Sequence, residues 1–357
     1  MKRKHIGAFI MYVVVLDAAV YGRHEAWDLL SKGQSCALYE NTDQGQISRR
    51  ATLPNGTTGP ICLVSCSTPL TADTIQALSP DVRHIIAAAG DTNHIEVAAA
   101  KARNITVTSA AGFDATAVAQ SVLHMMLNLE HNATNLNGMA HDGECALART
   151  ISNYIGFNEL SSRTIGIIGM GTSGTAVARM AHSLGMNTLV HTSGPTSIDN
   201  LTVGFRSLTE LLAQSDFVSL HCKHTGAAAH YLTSELLGLM KPSAFLINTT
   251  GNSRLVDETA LAQMLNNKKL RGAGVTTLHN ENRSTFGKKA SPLQGIASCL
   301  IYPQRAGGSR QALDHLVCRV SEIIDKIKDK APSDTADSTA TTPQRRVAQS
   351  SWNAAPR

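Results

Sequence analysis

Aromatic side chains make up only 4% of the 357 residues, and no two cysteines form a CxxC pair. A nucleic-acid binder shows a basic stripe with interleaved aromatics. Here the net charge of +5 is spread along the chain, apart from short clusters such as Lys2-Arg3-Lys4, so no direct nucleic-acid binding is expected. The seven cysteines are an odd number, which argues against a disulfide scaffold and implies reduced thiols in a cytoplasmic setting. No apolar run approaches the ~18 residues of a membrane span, so no membrane partner is expected. No segment repeats at solenoid spacing. The N-terminus "MKRKHIGAFIMYVVVLDAAVYG" has the outline of a secretory signal. It runs on through "RHEAWDLL" and "CALYE" as strand, helix and strand, and reads better as the start of an α/β domain.

An apolar content of 43% over this length can fill two cores. The fold class is α/β, with two Rossmann-like doubly wound domains. The first, residues 1–113, alternates "ICLVSC", "VRHIIAAAG" and "NITVTSA" with helical patterns and is expected to be flavodoxin-like. Val118, Val122, Met125, Met126 and Leu129 recur at helical spacing and predict a helix over 114–131 that joins the domains. The second domain, 114–307, is expected to hold six strands, among them "DFVSLH", "AFLINTT" and "LRGAGVTTL". Residues 331–357 have almost nothing to bury and predict a disordered tail.

The stretch "IGIIGMGTSGTAVARMAHSLG" sets a buried strand before Gly169-x-Gly171-x-x-Gly174 and a helix after it. The first glycine allows a tight turn, the second a close approach to a pyrophosphate, and the third helix-on-strand packing. Thr172 and Ser173 open the helix, whose N–H groups and dipole suit an anion. The acid that normally reads the adenosine ribose about 20 residues later is missing. Thr192 stands there, and no Arg or Lys follows until Arg206. The cofactor choice between NAD and NADP stays open, with a weak preference expected. His221-Cys222-x-His224 can be sketched as a metal site but ends an apolar run without further ligands, so no metal is expected.

From about Pro60 to Ala312 the sequence resembles the D-isomer-specific 2-hydroxyacid dehydrogenases. The resemblance rests on "TIGIIGMGTSGTAVARMAHSLGM", "LTELLAQSDFVSLH", "LTSELLGLMKPSAFLINTT" and "LVDETALAQMLNNKKLRGAG" in that order. It implies that the helix within 308–330 returns to complete the first, substrate-binding domain. It also implies a homodimer through an arm between about residues 128 and 160.

The resemblance further implies where the chemistry should sit. Family members carry an Arg three residues after the Asn of the "LINT" strand. Here Gly251 holds that spacing from Asn248, and Arg254 lies nearby as the candidate clamp for a substrate carboxylate. Glu281 matches the family's acid. Gln304 takes the place of its proton-transferring histidine, with His279 the near alternative. Thr249 and Thr276, at strand ends, are expected beside the cofactor, and Thr276 replaces an Asp that faces the nicotinamide. Ala89 and Gly90 begin the altered substrate cradle "AGDTN". The implied activity is interconversion of a small 2-keto acid and a D-2-hydroxy acid by hydride transfer, much reduced by these changes. The alternative is a cofactor-binding pseudoenzyme that serves as a dimeric protein-interaction scaffold.

Overall fold

The computed structural model describes residues 11–21, 24–33, 35–193, 201–222, 230–278, 291–303 and 306–329. The expected tail, 331–357, lies outside them. Contacts divide the chain into two compact units, Met1–Asp114 with Arg310–Arg357, and Ala115–Ser309.

The first unit is built on five parallel strands, β1 (Tyr12–Val15), β2 (Ser35–Leu38), β3 (Ile61–Ser65), β4 (Val82–Ala87) and β5 (Thr106–Ser109), in the order β2-β1-β3-β4-β5. This is the flavodoxin-like order, with a switch point between β1 and β3. Every residue of β3 is buried, as expected for a central parallel strand covered on both faces. The helix Arg310–Asp329 buries Leu313, Leu316, Val317, Val320 and Ile324, a stripe at helical spacing, and packs on the helix His24–Gly33 of the same unit.

The second unit holds β6 (Thr164–Ile168), β7 (Asn187–His191), β8 (Gly204–Phe205), β9 (Phe217–Leu220), β10 (Phe245–Asn248), β11 (Gly272–Val275) and β12 (Cys299–Ile301). Their order, β12-β11-β10-β9-β6-β7-β8, is that of a Rossmann sheet with one added edge strand. Seven strands stand where the sequence suggested six. The unforeseen one, β8, is two residues long, too short for any periodicity to show.

The helix Ala115–His131 forms over the expected residues and buries Ala119, Val122, Met125 and Met126 against this sheet, with Val118 buried as well. Gly274 makes room for it, since a Cβ there would come within 3.0 Å of Met125 Sδ. At its far end Glu130 has a fully buried side chain. The carboxylate accepts from Asn158 N (3.0 Å), Asn158 Nδ2 (2.9 Å), Arg163 Nη2 (3.3 Å) and Arg271 Nη1 (3.2 Å). Burial works against the charged form, but the Asn158 donors and the Arg271 and Arg163 guanidinia outweigh it and hold the carboxyl below its usual range.

Candidate active site

In an open parallel sheet ligands gather beyond the carboxyl ends of the strands, and the glycine loop lies there, after β6. Gly169 has a φ of +97°, and a Cβ would press within 2.6 Å of Cys222 N and 2.7 Å of His221 O at the end of β9. Gly174 is buried, and a Cβ there would run into the carbonyl oxygen of Gly169. Both glycines are therefore required by packing. Gly171 is different: its backbone is extended (φ −71°, ψ −169°), it is exposed, and among the described residues a Cβ on it meets nothing within 4 Å. Neither conformation nor packing demands glycine at 171. The space beside it is open among the described residues.

Gly171 is also the N-cap of the helix Thr172–Ser183, which has no side-chain cap and no acid in its first turn. Its N-terminal N–H groups are left for an anion. Thr172 is exposed and Ser173 half-buried beside it. Behind the loop, His221 Nε2 pairs with Ser219 Oγ at 2.9 Å, and burial holds the ring's pKa down to about 4. The imidazole is neutral at neutral pH and adds no charge to the loop.

At the end of β10 the loop is tied by its own amides. Asn248 Oδ1 accepts from Thr250 N (3.2 Å) and Thr250 Oγ1 (2.7 Å), and Asn248 Nδ2 donates to Asn252 O at 3.2 Å. Asn252 Oδ1 in turn accepts from Arg254 N at 3.0 Å. Gly251 takes a φ of +69° with nothing within 4 Å of a Cβ, while Arg254 is exposed on the short helical turn Ser253–Leu255. Thr249 and Thr276 follow the paired residues Asn248 and Val275, and both are buried. Thr276 N donates to Asn248 O at 3.2 Å, whereas Thr249 Oγ1 has no hydrogen-bond partner among the described residues. A buried hydroxyl in that state costs about 1–3 kcal/mol. It marks a place where a polar ligand group would be welcome.

In the first unit, Ala89 and Gly90 follow β4. Ser109 Oγ donates to Ala89 O at 3.0 Å, the Asp91 carboxylate accepts from Asn93 N (3.0 Å) and Nδ2 (2.8 Å), and Gly90 is exposed with open space around it. The neighbouring loop after β3 is organised by Asp17, a residue the sequence did not single out. Its buried carboxylate accepts from Cys66 N, Ser67 N and Thr68 N, each at 2.7 Å, and from Thr68 Oγ1 at 2.9 Å. The signal was a lone acid directly after the apolar run of β1.

The sequence model described as "D-isomer specific 2-hydroxyacid dehydrogenase, NAD binding domain" matches residues 123–305, the stretch that carries the glycine loop with Thr172 and also Thr192, Thr249 and Thr276. The chain belongs to this family. Its cofactor is accordingly NAD or NADP, and the open face of Gly171 and the unpartnered Thr249 hydroxyl fit a dinucleotide. A Haemophilus influenzae protein assigned to the 2-hydroxyacid dehydrogenases is 27% identical over 88% of this chain and 98% of its own length. The glyoxylate reductase of Thermococcus gammatolerans is 33% identical over 45% of this chain and 48% of its own. Among solved structures, an acyclic imino acid reductase in complex with NADPH and D-Arg superposes with a TM-score of 0.77 at 23% identity, covering 90% of this chain and 98% of that one. D-2-hydroxyisocaproate dehydrogenase follows at 0.74 and 20%, covering 91% and 98%.

Against this family, the structure brings Gly169, Gly171, Thr172, Ser173, Gly174, Thr192, Thr249 and Thr276 to the carboxyl edge of one sheet. Arg254 reaches the same loop as Gly251 but turns an exposed side chain outward from a backbone whose carbonyl meets His230 Nδ1 at 3.1 Å. Glu281, His279, His224 and Gln304 lie outside the described residues. Among the described residues no helix is long and apolar enough to cross a membrane, and no cluster of three or more His, Cys, Asp or Glu could hold a metal.

Proposed function

We propose that this family member is an NAD(P)-dependent oxidoreductase for a small 2-keto acid and its D-2-hydroxy acid, working far below the rate of a family member with the full residue set. The reading is carried by the contrast between two loops. After β6 the loop is open at Gly171 with helix N–H groups free of any side-chain cap, and after β10 the position that should hold a guanidinium is Gly251 in empty space.

Bound reduced cofactor would supply a hydride to the substrate's carbonyl carbon. In the second unit the Gly169–Gly174 loop would hold the pyrophosphate, Thr249 and Thr276 the nicotinamide end, and Arg254 would be a loose electrostatic clamp; for the first unit, the family resemblance assigns Ala89 and Gly90 to a substrate carboxylate. By the family resemblance Glu281 would be the supporting acid and Gln304 an orienting donor, whose amide can donate a hydrogen bond but cannot exchange a proton near neutral pH. Positioned general acid catalysis is worth roughly 10²–10⁴-fold. One lost oxyanion donor costs roughly 10²–10³-fold. The two belong to one catalytic unit and do not simply multiply. Steady-state reduction of glyoxylate, hydroxypyruvate and pyruvate tests this, and a kcat within the ordinary ~1–10³ s⁻¹ range would refute the reduced rate.

The second reading is a cofactor-binding dimer that works as a protein scaffold. Like the first, it calls for a second copy, and the helices Ala133–His141 and Cys145–Ile155 expose Leu147, Tyr154, Ile155 and, just beyond, Phe157. Tyr154 is 92% exposed. In either reading these side chains form the contact with a second copy, and sedimentation of the Tyr154→Asp variant as a monomer would be the supporting result.

A further inference from the structure

The adenosine ribose of a dinucleotide is read at the end of the second strand of the Rossmann order, which here is β7. Thr192 stands there without charge, and in sequence the next cation is 14 residues away. Strand β8 closes that distance. Leu189 pairs with Gly204 and Val190 with Phe205, so that Arg206 N donates to Val190 O at 3.0 Å and His191 Nδ1 meets Arg206 O at 3.1 Å. His191 O in turn accepts from Gly169 N at 2.8 Å, which makes the glycine loop, the end of β7 and Arg206 one contiguous rim.

The Arg206 side chain on this rim is exposed, and its Nη1 donates to Phe205 O at 2.8 Å. No carboxylate among the described residues comes within ion-pair distance of it. The nearby Glu210 is engaged by Ser207, whose N and Oγ donate to Glu210 Oε2 at 3.0 and 2.6 Å in the capping box of the helix Leu208–Gln214. The guanidinium lies back over Gly204 and within electrostatic reach of Glu210, and its remaining donors match a phosphate once the side chain swings to the rim. A carboxylate at 192 would hold a free ribose hydroxyl and repel a phosphate, and there is none. We infer that Arg206 receives the 2′-phosphate of the cofactor and makes the chain NADP-selective. The inference rests on the cofactor reading above and replaces the weak preference that sequence spacing alone suggested.

The test is binding, followed by calorimetry with NADPH, NADH and two fragments that lack the nicotinamide, 2′,5′-ADP and 5′-AMP. A charge-assisted bond to phosphate corresponds to a preference on the order of tenfold to a hundredfold. NADPH should exceed NADH, and 2′,5′-ADP exceed 5′-AMP, by that factor. The preference should shrink as salt rises, because the guanidinium is exposed. Arg206→Gln should lose it by weakening the two phosphorylated ligands alone, with the thermal midpoint unchanged, and Arg206→Lys should keep part. NADPH and NADH within tenfold of each other, or a preference that survives Arg206→Gln, would overturn the role of Arg206 while leaving the cofactor reading intact. No binding of any of the four ligands would remove both.

Discussion

Gly171→Asp separates what the fold needs from what the ligand needs. The backbone at 171 is open to any residue, and among the described residues a Cβ there meets nothing within 4 Å. Asp is a better helix N-cap than Gly, and replacing a glycine restricts the unfolded chain, so the cofactor-free variant should be unchanged or more stable by up to about 1 kcal/mol. In the parent, preferred cofactor at ~100 Kd stabilises by roughly 2.7 kcal/mol. For a domain of this size that is a rise in thermal midpoint of about 5–11 °C. The introduced carboxylate would cap the helix N–H groups and repel the pyrophosphate. If affinity falls ~100-fold, the same ligand concentration gives only about 0.4 kcal/mol, within the scatter of a thermal-shift assay. A variant that keeps the full shift would refute the pyrophosphate assignment. One that unfolds before ligand is added would refute the claim that Gly171 has no packing duty.

Gly174→Ala should do the reverse, because its methyl overlaps the Gly169 carbonyl; overpacking by about 1–3 kcal/mol lowers the midpoint of the cofactor-free protein by calorimetry. Thr249→Val removes an unpartnered buried hydroxyl and should raise cofactor-free stability by about 1 kcal/mol while weakening the reduced cofactor in a fluorescence titration; a loss of stability would mean the hydroxyl already has a partner. Glu130 has its carboxyl held below the usual range, so its contribution is present above the unfolded pKa of ~4.3 and disappears as pH falls through the lower folded value. Glu130→Gln leaves Arg271 facing a neutral amide while Arg163 keeps Asp216 at 3.6 Å, and should cost about 1–3 kcal/mol at pH 7, shrinking toward acid pH in denaturant titrations. Gln304→His alone should restore little keto acid reduction, since no arginine is aligned at Gly251; recovery to ordinary kcat values would show that Arg254 already serves.

How much of this could be read from the sequence depends on the range of the signal. Buried parallel strands such as "ICLVS" and "TIGII" are continuous apolar runs, and the helix over 115–131 declares itself by its stripe, so both sheets were legible. Non-local geometry was not. The two-residue strand β8 has no period to detect, yet it decides where Arg206 lies. Beyond its place after β1, Asp17 carries no local signal of its role, which comes from the fold setting it under the N–H groups of residues 66–68, about 50 positions on. The altered loop after β10 was visible as a break in register, but not that Asn248 and Asn252 hold it together.

The three glycines of the loop also bear on whether this chain has only kept the shape of a dinucleotide-binding domain. A scaffold without a ligand would still need Gly169, for its positive φ and its contact with the end of β9, and Gly174, for its contact with the loop's own carbonyl. It would gain from any other residue at 171, where glycine costs conformational entropy on folding and a Ser or Asp would cap the helix better. Nor would it need a hydroxyl at 249, since valine fits the same volume without the cost of an unmet hydrogen bond. Gly171 and Thr249 are thus both worse than available alternatives for the fold alone. They lie on the same carboxyl edge of one sheet, at the end of β10 and at the start of the helix after β6. The common explanation is a ligand that spans from one to the other, and a molecule with a pyrophosphate at one point and a polar ring at the other has that reach.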